Sequence, residues 1–547
     1  MRRAYDALNF MVFLRIPPFP GARSGPVQMA ALGVSACTVT AREVATELAA
    51  HRVGGAFWGA RPPLPLVAGR LVVRGGDVQG GDGQGCDVGT IAGVTVHVDH
   101  RGRMAGQRAE CDPWHLATWA QEVCAPLTSD IGLVALLLGK PLHLPDGTLA
   151  AAGALETALG ARLINGQAFR DPYSGKACSV REAIRLLGFW RGLIDANRPL
   201  DAVCGVAFWK QQTLAPLLWG GDDVPFARRP APQEDRTFAV WRARTPERVL
   251  EAIESSGCGV LEIEDGFVRS TGLGANCVPP LSIVVDAKGA HFDPSQPTDL
   301  EGILAHHSFS DDERRRASAL RQVLVGGGIS KYAIGHGEFA RSGGNRRHIL
   351  VVGQVEDDRS WLKGGGGIAS NLELLQRVRA CNPDAWLIFR PHPDVMAGHR
   401  KGHVPPRLAR QVADEIAAHA PITALVEAVD EVHVLTSLTG FEALLRGRSV
   451  TTWGVPFYAG WGLTTDLGPV PARRGRRLML NELVAAALLL YPRYLDPVTM
   501  LPCPPEVTVQ RLIEGTTPRG GALVGLRRLS GRAAYMLRRL AALFRHV

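Results

Sequence analysis

Three polar strings hold the residue types best suited to chemistry. They are Glu264-Asp265-Gly266-Phe267-Val268-Arg269-Ser270, Gly353-Gln354-Val355-Glu356-Asp357-Asp358 and Arg390-Pro391-His392-Pro393-Asp394. Each follows a short aliphatic run that reads as a strand, so each is expected at a strand end. Carboxylates at buried strand ends are costly unless paired, solvated or used. Two of them facing each other across a cleft suit glycosyl transfer, one as nucleophile and one as acid/base. Arg390 and His392 can neutralise a phosphate or a carboxylate. A helix beginning near Thr439 offers backbone N–H groups to an anion, with the Ser437 and Thr439 hydroxyls beside them. Each feature also has a purely structural account. Thr439 and Glu442 fit the two ends of a capping box, Asp357 and Asp358 fit a solvated turn, and Glu264 fits an ion pair with Arg269. The Glu356, Asp357 and Asp358 trio also has the composition of a divalent-cation site.

The elements that must position these strings alternate along the chain. Strands are expected at Gly259–Ile263, Leu281–Asp286, His348–Val352, Ala385–Phe389, Glu431–Leu435 and Ser449–Trp453. Helices are expected at Asp311–Val325, Asn371–Arg379, Leu408–His419 and Gly440–Leu445. Short β-branched runs alternating with helices argue for parallel sheets covered on both faces. Two such sheets fit between about residues 195 and 515, with a break in the Gly-rich stretch Ala340–Arg347. Ligands of such folds sit at the carboxyl ends of strands, in the cleft between facing domains. The Gly-rich run Gly75–Gly85 lacks a following helix and an acidic residue at dinucleotide-binding distance, so it reads as a surface loop. Gly364–Gly367 has no Lys-Ser/Thr after it and is not a P-loop.

Composition bounds the class. Of 547 residues, 46% are hydrophobic and 21% charged, which excludes a disordered, collagen-like or coiled-coil chain. The longest apolar runs, such as Ile131–Leu138 and Ala485–Leu490, fall well short of the ~20 residues of a membrane span. Asp6 and Arg15 interrupt the first apolar stretch, so no signal peptide is expected. The ten cysteines are scattered, no two at C-x-x-C spacing, and read as small hydrophobes of a reducing, cytoplasmic compartment. The net charge of +9 is concentrated at one end. Beyond Glu514 there is no acidic residue, and Arg519, Arg527, Arg528, Arg532, Arg538, Arg539 and Arg545 are interleaved with apolar residues at spacings of three and four. That pattern is a basic amphipathic helix, suited either to an anionic membrane surface or to packing on the protein's own body. Nucleic acid is the weaker reading, because no nucleic-acid-binding motif accompanies the charge.

The sequence also repeats itself. Thr128-Ser129-x-x-Gly132-x-x-Ala135-Leu136-Leu137-x-Gly139 matches Thr436-Ser437-x-x-Gly440-x-x-Ala443-Leu444-Leu445-x-Gly447 at an offset of 308, and Asp171-Pro172 echoes Asp496-Pro497 at an offset of 325. The first copy lacks a counterpart to part of Thr451–Leu467, which includes the aromatic string Phe457-Tyr458-Ala459-Gly460-Trp461. It has Ile131 and Val134 where the second has Thr439 and Glu442. The first ~185 residues therefore read as an eroded duplicate of part of the later unit, with His97-Val98-Asp99 at best a shadow of the His-Pro-Asp string.

These strings resemble the retaining β-Kdo transferases of the capsule polysaccharide biosynthesis family, whose large members carry two tandem transferase modules. The resemblance runs from about Leu186 to Leu512. It rests on Glu264–Gly274 (EDGFVRSTGLG), Pro280–Asp286, Ser330-Lys331-Tyr332, Gly353–Asp358, Pro391–Val395, Asp430–Gly447 and Pro456–Thr464 (PFYAGWGLT). They look like the C-terminal module, and the N-terminal residues resemble only the tail of the first. Arg390 departs from the commoner lysine before Pro-His-Pro.

The resemblance implies an α/β, GT-B-like architecture: two Rossmann-like domains facing a cleft, preceded by a degenerate N-terminal α/β unit. The expected division is 1–185 (remnant of a first module), 186–345 (first Rossmann-like domain), 346–515 (CMP-sugar-binding domain) and 516–547 (basic tail). It further implies transfer of Kdo from CMP-Kdo, with retention, onto a β-Kdo linker on a lipid anchor at the inner face of the cytoplasmic membrane. Neither a metal nor a cofactor is required, and other capsule biosynthesis proteins are possible partners. By resemblance, Asp358 is the nucleophile and Glu264 the acid/base. Arg390, His392, Ser437 and Thr439 hold the CMP phosphate and the sugar carboxylate, and Arg269, Gln354 and Glu442 complete the binding set. The rival readings are another sugar-nucleotide enzyme on the same fold, and a non-catalytic component of the capsule assembly and export machinery.

Overall fold

The computed structural model describes residues 12–23, 28–29, 39–73, 94–104, 109–228, 230–270, 278–330, 337–396, 398 and 400–516. The Gly75–Gly85 run, the end of the EDGFVRSTGLG string, Lys331-Tyr332 and the basic tail lie outside the described residues. The chain divides into two compact units. One comprises residues 1–200 with 218–224 and 499–501, and the other holds the rest.

The first unit is built on four parallel strands, β1 (Arg70–Val73), β2 (Thr95–Val98), β3 (Glu122–Cys124) and β4 (Leu142–His143), in the order β2-β1-β3-β4. Leu71, Val96, Val98, Val123 and Leu142 form its core with Leu116 and Ile131 of the flanking helices. Helix Val180–Asn197 also belongs to this unit. It starts at a capping box in which Ser179 and Glu182 each satisfy the other's backbone N–H.

The second unit contains two sheets. The first sheet comprises β5 (Leu200–Cys204), β6 (Phe226–Ala227), β7 (Thr237–Val240), β8 (Gly259–Asp265) and β9 (Ser282–Asp286). It is completed late in the chain by β16 (Pro492–Leu495) and β17 (Pro502–Cys503), in the order β17-β16-β9-β8-β7-β5-β6. It was expected to be parallel, and it is mixed. β7 and β8 are parallel, but β9 runs antiparallel to both β8 and β16. Among the described residues between β8 and β9 there is no crossover helix, and β9 pairs antiparallel with the strand that precedes it. The second sheet comprises β10 (His348–Val352), β11 (Trp386–Arg390), β12 (Glu415–Ile416), β13 (Glu431–Val434), β14 (Ser449–Thr452) and β15 (Thr465–Asp466). All are parallel, in the order β12-β11-β10-β13-β14-β15. All five residues of β10 are buried, as expected for a central strand covered on both faces. Helix Asn371–Cys381 starts at Ser370, whose side chain accepts the Glu373 N–H, and it buries Leu374, Leu375 and Val378 against Ile349, Val351, Leu387 and Phe389.

A helix was expected over Leu408–His419. Only the turn Pro406–Ala409 is helical, and the chain then forms the edge strand β12. Asp414 accounts for the difference. Its carboxylate accepts the Leu387 N–H and pairs with Arg346 and Arg379, which holds the segment extended against β11.

The repeat extends well beyond the matched letters. The order β2-β1-β3-β4 reproduces β11-β10-β13-β14, with β3 and β4 falling on β13 and β14 at the 308-residue offset. At the 325-residue offset, the π-helix Gly160–Ile164 falls on the π-helix Ala485–Leu490. The antiparallel pair Ala168–Arg170/Ala177–Cys178 likewise falls on β16/β17. Asp171 and Asp496 open the turn after the first strand of each pair. His97 lies inside β2. The residue two places beyond its end, where His392 stands relative to β11, is His100.

Candidate active site

Two of the three strings, and the helix start near Thr439, meet along one edge of the parallel sheet. The pairing Val352↔Arg390 sets the ends of β10 and β11 side by side, and Gly353 N–H donates to the Arg390 carbonyl at 2.9 Å. Gln354 closes the other side. Its carbonyl oxygen accepts the Thr436 N–H at 2.8 Å and its amide donates to Thr436 Oγ1 at 3.0 Å, tying β10 to the segment after β13. Asn371 braces the same string by accepting the Gln354 N–H and donating to the Gln354 and Gly402 carbonyls. Gln354 therefore shapes the site from below. Glu356 accepts the Asn371 N–H at 2.7 Å, and Asp357 pairs with Arg400 at 3.1 Å. The trio does not converge as a metal site would, and among the described residues no group of His, Cys, Asp and Glu side chains is arranged to hold a metal ion.

Asp358 caps helix Arg359–Gly364. One carboxylate oxygen accepts from Ser360 N–H and Oγ, at 3.2 and 2.6 Å, while the other lies 3.9 Å from Arg400. The side chain is 50% exposed, so that second oxygen can be reached. Next to it, His392 Nδ1 accepts the Asp394 N–H at 3.2 Å, which leaves the ring proton on Nε2 as a donor. Burial lowers the His392 pKa against the opposing pull of Asp394 and Asp358, so at neutral pH the ring offers a hydrogen bond rather than a charge. The charge comes from Arg390, whose guanidinium is steadied by the Ala418 and Pro391 carbonyls.

Helix Leu438–Leu445 points its first turn at this edge. Its cap is Ser437, whose Oγ accepts the Thr439 N–H at 3.2 Å; the expected Thr439/Glu442 capping box does not form, because the helix starts one residue before Thr439. Thr439 instead contributes a hydroxyl in the first turn, 3.2 Å from Ser437 Oγ. Glu442 lies half-buried further along the same helix. The aromatic string supports the helix from behind: the fully buried Tyr458 donates its hydroxyl to the Ser437 carbonyl. A Cβ on Gly440 would stand 2.2 Å from that hydroxyl, so only glycine fits. Gly440→Ala should therefore cost about 1–3 kcal/mol of stability, seen as a lower melting temperature.

The remaining string comes from the first sheet. Glu264 was weighed as a partner of Arg269, but the structure pairs them otherwise. Arg269 is fully buried, ion-pairs with Asp265 at 2.9 Å, and donates to Ser270 Oγ and the Val278 carbonyl, so it anchors its own loop. Glu264 pairs with Arg359 at 3.2 Å, and Arg359 also holds Glu262 at 2.7 Å. Burial pushes the Glu264 carboxyl up to about 8; Asp265 and Glu262 add to the push, while Arg359 and Lys210 oppose it. Glu264 therefore holds its proton far more readily than a solvated glutamate does. Lys210 is buried, 3.2 Å from Asp265 and stacked 3.4 Å above the Trp241 ring, and burial brings its pKa down to about 8. Phe267 stacks on Phe457 with ring centroids 4.5 Å apart, so the EDGF and PFYAGWG strings touch.

Sequence reading missed Arg359, Glu262 and Lys210. Glu262 was within reach, since it alternates with Glu264 and shares its face of the strand. Arg359 is adjacent in sequence to Asp358, but its partners lie about a hundred residues away, and nothing in the local pattern indicates the pairing.

In the first unit, the helix matching Leu438–Leu445 is capped in the same way: Ser129 Oγ accepts the Gly132 N–H at 2.9 Å. Its first residue, however, is Asp130, which pairs with Arg15 at 3.1 Å and Arg162 at 2.7 Å. A carboxylate thus stands in the first turn of that helix, where the second unit has the uncharged Leu438.

Two Rossmann-like sheets, with polar strings at the carboxyl edge of the second and a part-buried acid from the first, define a GT-B-like α/β protein. The sequence profile of the capsule polysaccharide biosynthesis proteins matches residues 238–326 and 305–494. Over 330 residues the chain is 43% identical to the lipopolysaccharide-processing protein LpsZ of Rhizobium meliloti, covering 57% of this chain and 74% of LpsZ. The chain belongs to the capsule polysaccharide biosynthesis protein family. It is 38% identical over 420 residues to the capsule polysaccharide modification protein LipA of Neisseria meningitidis serogroup A, which takes in 71% of this chain. It spans 59% of the length of that relative. Among solved structures, the β-Kdo 2,4 transferase of Thermosulfurimonas dismutans KpsC matches with 30% identity and a TM-score of 0.51, over 57% of this chain and 98% of that one. No helix among the described residues is long and apolar enough to cross a membrane.

Proposed function

We propose that the protein is a retaining glycosyltransferase that moves Kdo from CMP-Kdo onto a β-Kdo linker of a lipid-anchored capsular polysaccharide. The observation that carries this reading is the pair of unlike carboxyl groups: Glu264, mostly shielded with its carboxyl pushed up, and Asp358, half-exposed and beside cationic and N–H donors. Paired carboxyls in contrasting environments divide acid/base and nucleophilic duties.

In the first step an Asp358 oxygen attacks the anomeric carbon of Kdo. The bond from that carbon to the phosphate oxygen breaks, and CMP leaves with the electron pair, taking the Glu264 proton. Arg390, the His392 Nε2–H and the Ser437 and Thr439 groups at the helix start hold the phosphate and the sugar carboxylate. In the second step an acceptor hydroxyl attacks the same carbon from the side CMP vacated, Glu264 takes the hydroxyl proton, and the Asp358 carboxylate is released. Two inversions give net retention. The N-terminal unit takes no part, its equivalent helix start carrying Asp130 paired with Arg15 and Arg162. Incubation with CMP-Kdo and a synthetic Kdo-primed acceptor, followed by NMR of the product, tests the reading. A β-Kdo product supports it; CMP-Kdo left intact, or a product without a new Kdo linkage, refutes it.

A lipid-linked acceptor also gives the basic tail a role in membrane contact, at about 1 kcal/mol per arginine near anionic lipid and screened by salt. Deletion of Arg519–Val547 should reduce co-sedimentation with anionic vesicles at low salt and slow transfer to lipid-linked acceptor. Activity on a soluble acceptor should be nearly unchanged. Equal sedimentation of truncated and full-length protein would remove the tail from the account.

A further inference from the structure

The helix that Asp358 caps does more than carry the nucleophile. It extends from the second sheet and meets the first most firmly through its first side chain. Arg359, the first residue of that helix, ion-pairs with Glu262 at 2.7 Å and with Glu264 at 3.2 Å, and its guanidinium lies 5.0 Å from the centre of the Phe292 ring. All three partners belong to the first-sheet half of the unit. One turn later, Lys363 pairs with Asp293 at 3.3 Å, but that lysine is half-exposed and the contact contributes little. Glu262 is a firm anchor, being 6% exposed and also held by Arg242 at 3.3 Å.

We infer that Arg359 is the positioning residue of the site, joining Glu264 to the Asp358 helix across the two sheets with Glu262 as its anchor. The inference rests on the proposed transferase reading and adds to it a residue with no direct contact to the reacting atoms. It makes physical sense of three carboxyl groups crowded on one strand end. Glu262 and Glu264 project from the same face two residues apart, and a single guanidinium can serve both with its several donors. Asp265 is separately neutralised by Lys210 and Arg269. Arg359 is thus the cation in direct contact with Glu264, while Lys210, Asp265 and Glu262 act on it from adjoining positions. Its charge favours the carboxylate form that the second step needs. Its backbone fixes where Asp358 stands when that step occurs.

The test separates the two chemical steps in the full-length protein. Adduct is first formed with CMP-Kdo alone, then a soluble Kdo acceptor is added and the decay of the adduct is followed against pH. In the wild type the decay rate rises with pH as Glu264 loses its proton. In Arg359→Met the rise should move to higher pH by about one unit, because a neighbouring positive charge has been lost. The plateau should fall by about 10–100-fold through misplacement, with the KM for CMP-Kdo nearly unchanged. Arg359→Lys keeps the charge, so its rise should stay in place while its plateau falls less. Glu262→Gln, which loosens the anchor, should lower the plateau, and Lys363→Met should behave as wild type. Thermal melts establish that each variant is folded, and the lysine and Glu262 variants carry the test if Arg359→Met is not. A wild type that transfers Kdo alongside Arg359→Met, Arg359→Lys and Glu262→Gln variants with unaltered profiles would overturn the inference and leave the transferase reading standing. A wild type that transfers no Kdo would overturn the reading itself.

Discussion

Asp358→Asn protein is expected to fold, to bind CMP and to transfer essentially no Kdo. The substitution is unusually clean at this position. Asp358 is the N-cap of its helix, accepting from Ser360 N–H and Oγ. Asparagine caps a helix about as well as aspartate, so the side-chain oxygen that holds the helix is retained and the melting temperature should be close to that of the wild type. What is lost is the nucleophilic carboxylate, and turnover should fall by about a thousandfold or more. The N-terminal unit should supply no residual activity, since it has no counterpart of the Glu264–Ser270 and Gly353–Asp358 strings. CMP affinity by calorimetry and turnover by release of CMP check the two halves of the expectation. Substantial turnover by the variant would remove Asp358 from the role.

Glu264→Gln should give the second large effect, with the opposite signature in stability. Glutamine can neither give nor take the proton. CMP is a good leaving group and needs little help, so the first step should slow only modestly. Activation of the acceptor hydroxyl should lose about 10²–10⁴-fold, and the adduct should accumulate. The carboxyl stands near 4.5 in the unfolded chain and near 8 in the fold. Between those values the folded protein keeps a proton that the unfolded chain has released. The stability linked to protonated Glu264 is therefore full below about pH 4.5, and is lost as pH rises through about 8. Glutamine escapes that loss. Glu264→Gln should melt like wild type near pH 4.5 and above it at pH 9, by up to a few kcal/mol. An inactive variant more stable than its parent at alkaline pH is what a strained functional carboxyl predicts. Equal pH dependence of melting in the two proteins would mean that Glu264 is not held protonated.

Much of the second sheet was legible because its signals are local. The aliphatic run of β10 was read with its observed limits, and helix Asp311–Gly326 follows Ser310 and Glu313 in a capping box. What escaped depends on long-range contacts. The Leu408–His419 stretch has helical periodicity, yet Asp414 binds Leu387 N–H, Arg346 and Arg379 and draws it out as an edge strand. The antiparallel β9 and the return of β16 to the first sheet follow from connections that hydrophobic patterning does not encode. The polar strings fall at strand ends as expected, but their partners were not legible. Arg269 turned inward to Asp265, Ser437 rather than Thr439 caps its helix, and Arg359 drew no notice as one more charge in a polar run. A pattern of two or four residues reports which face a residue shares; it does not report what a distant strand brings to that face.

The central claim is a covalent Kdo–enzyme intermediate on Asp358, and mass spectrometry tests it most directly. Wild-type and Glu264→Gln proteins are incubated with CMP-Kdo without acceptor, quenched, digested and mapped. The account predicts one added Kdo on the peptide containing Asp358, more abundant in Glu264→Gln and absent in Asp358→Asn. An adduct on a different residue, or Kdo transfer with no adduct at any time, would contradict it.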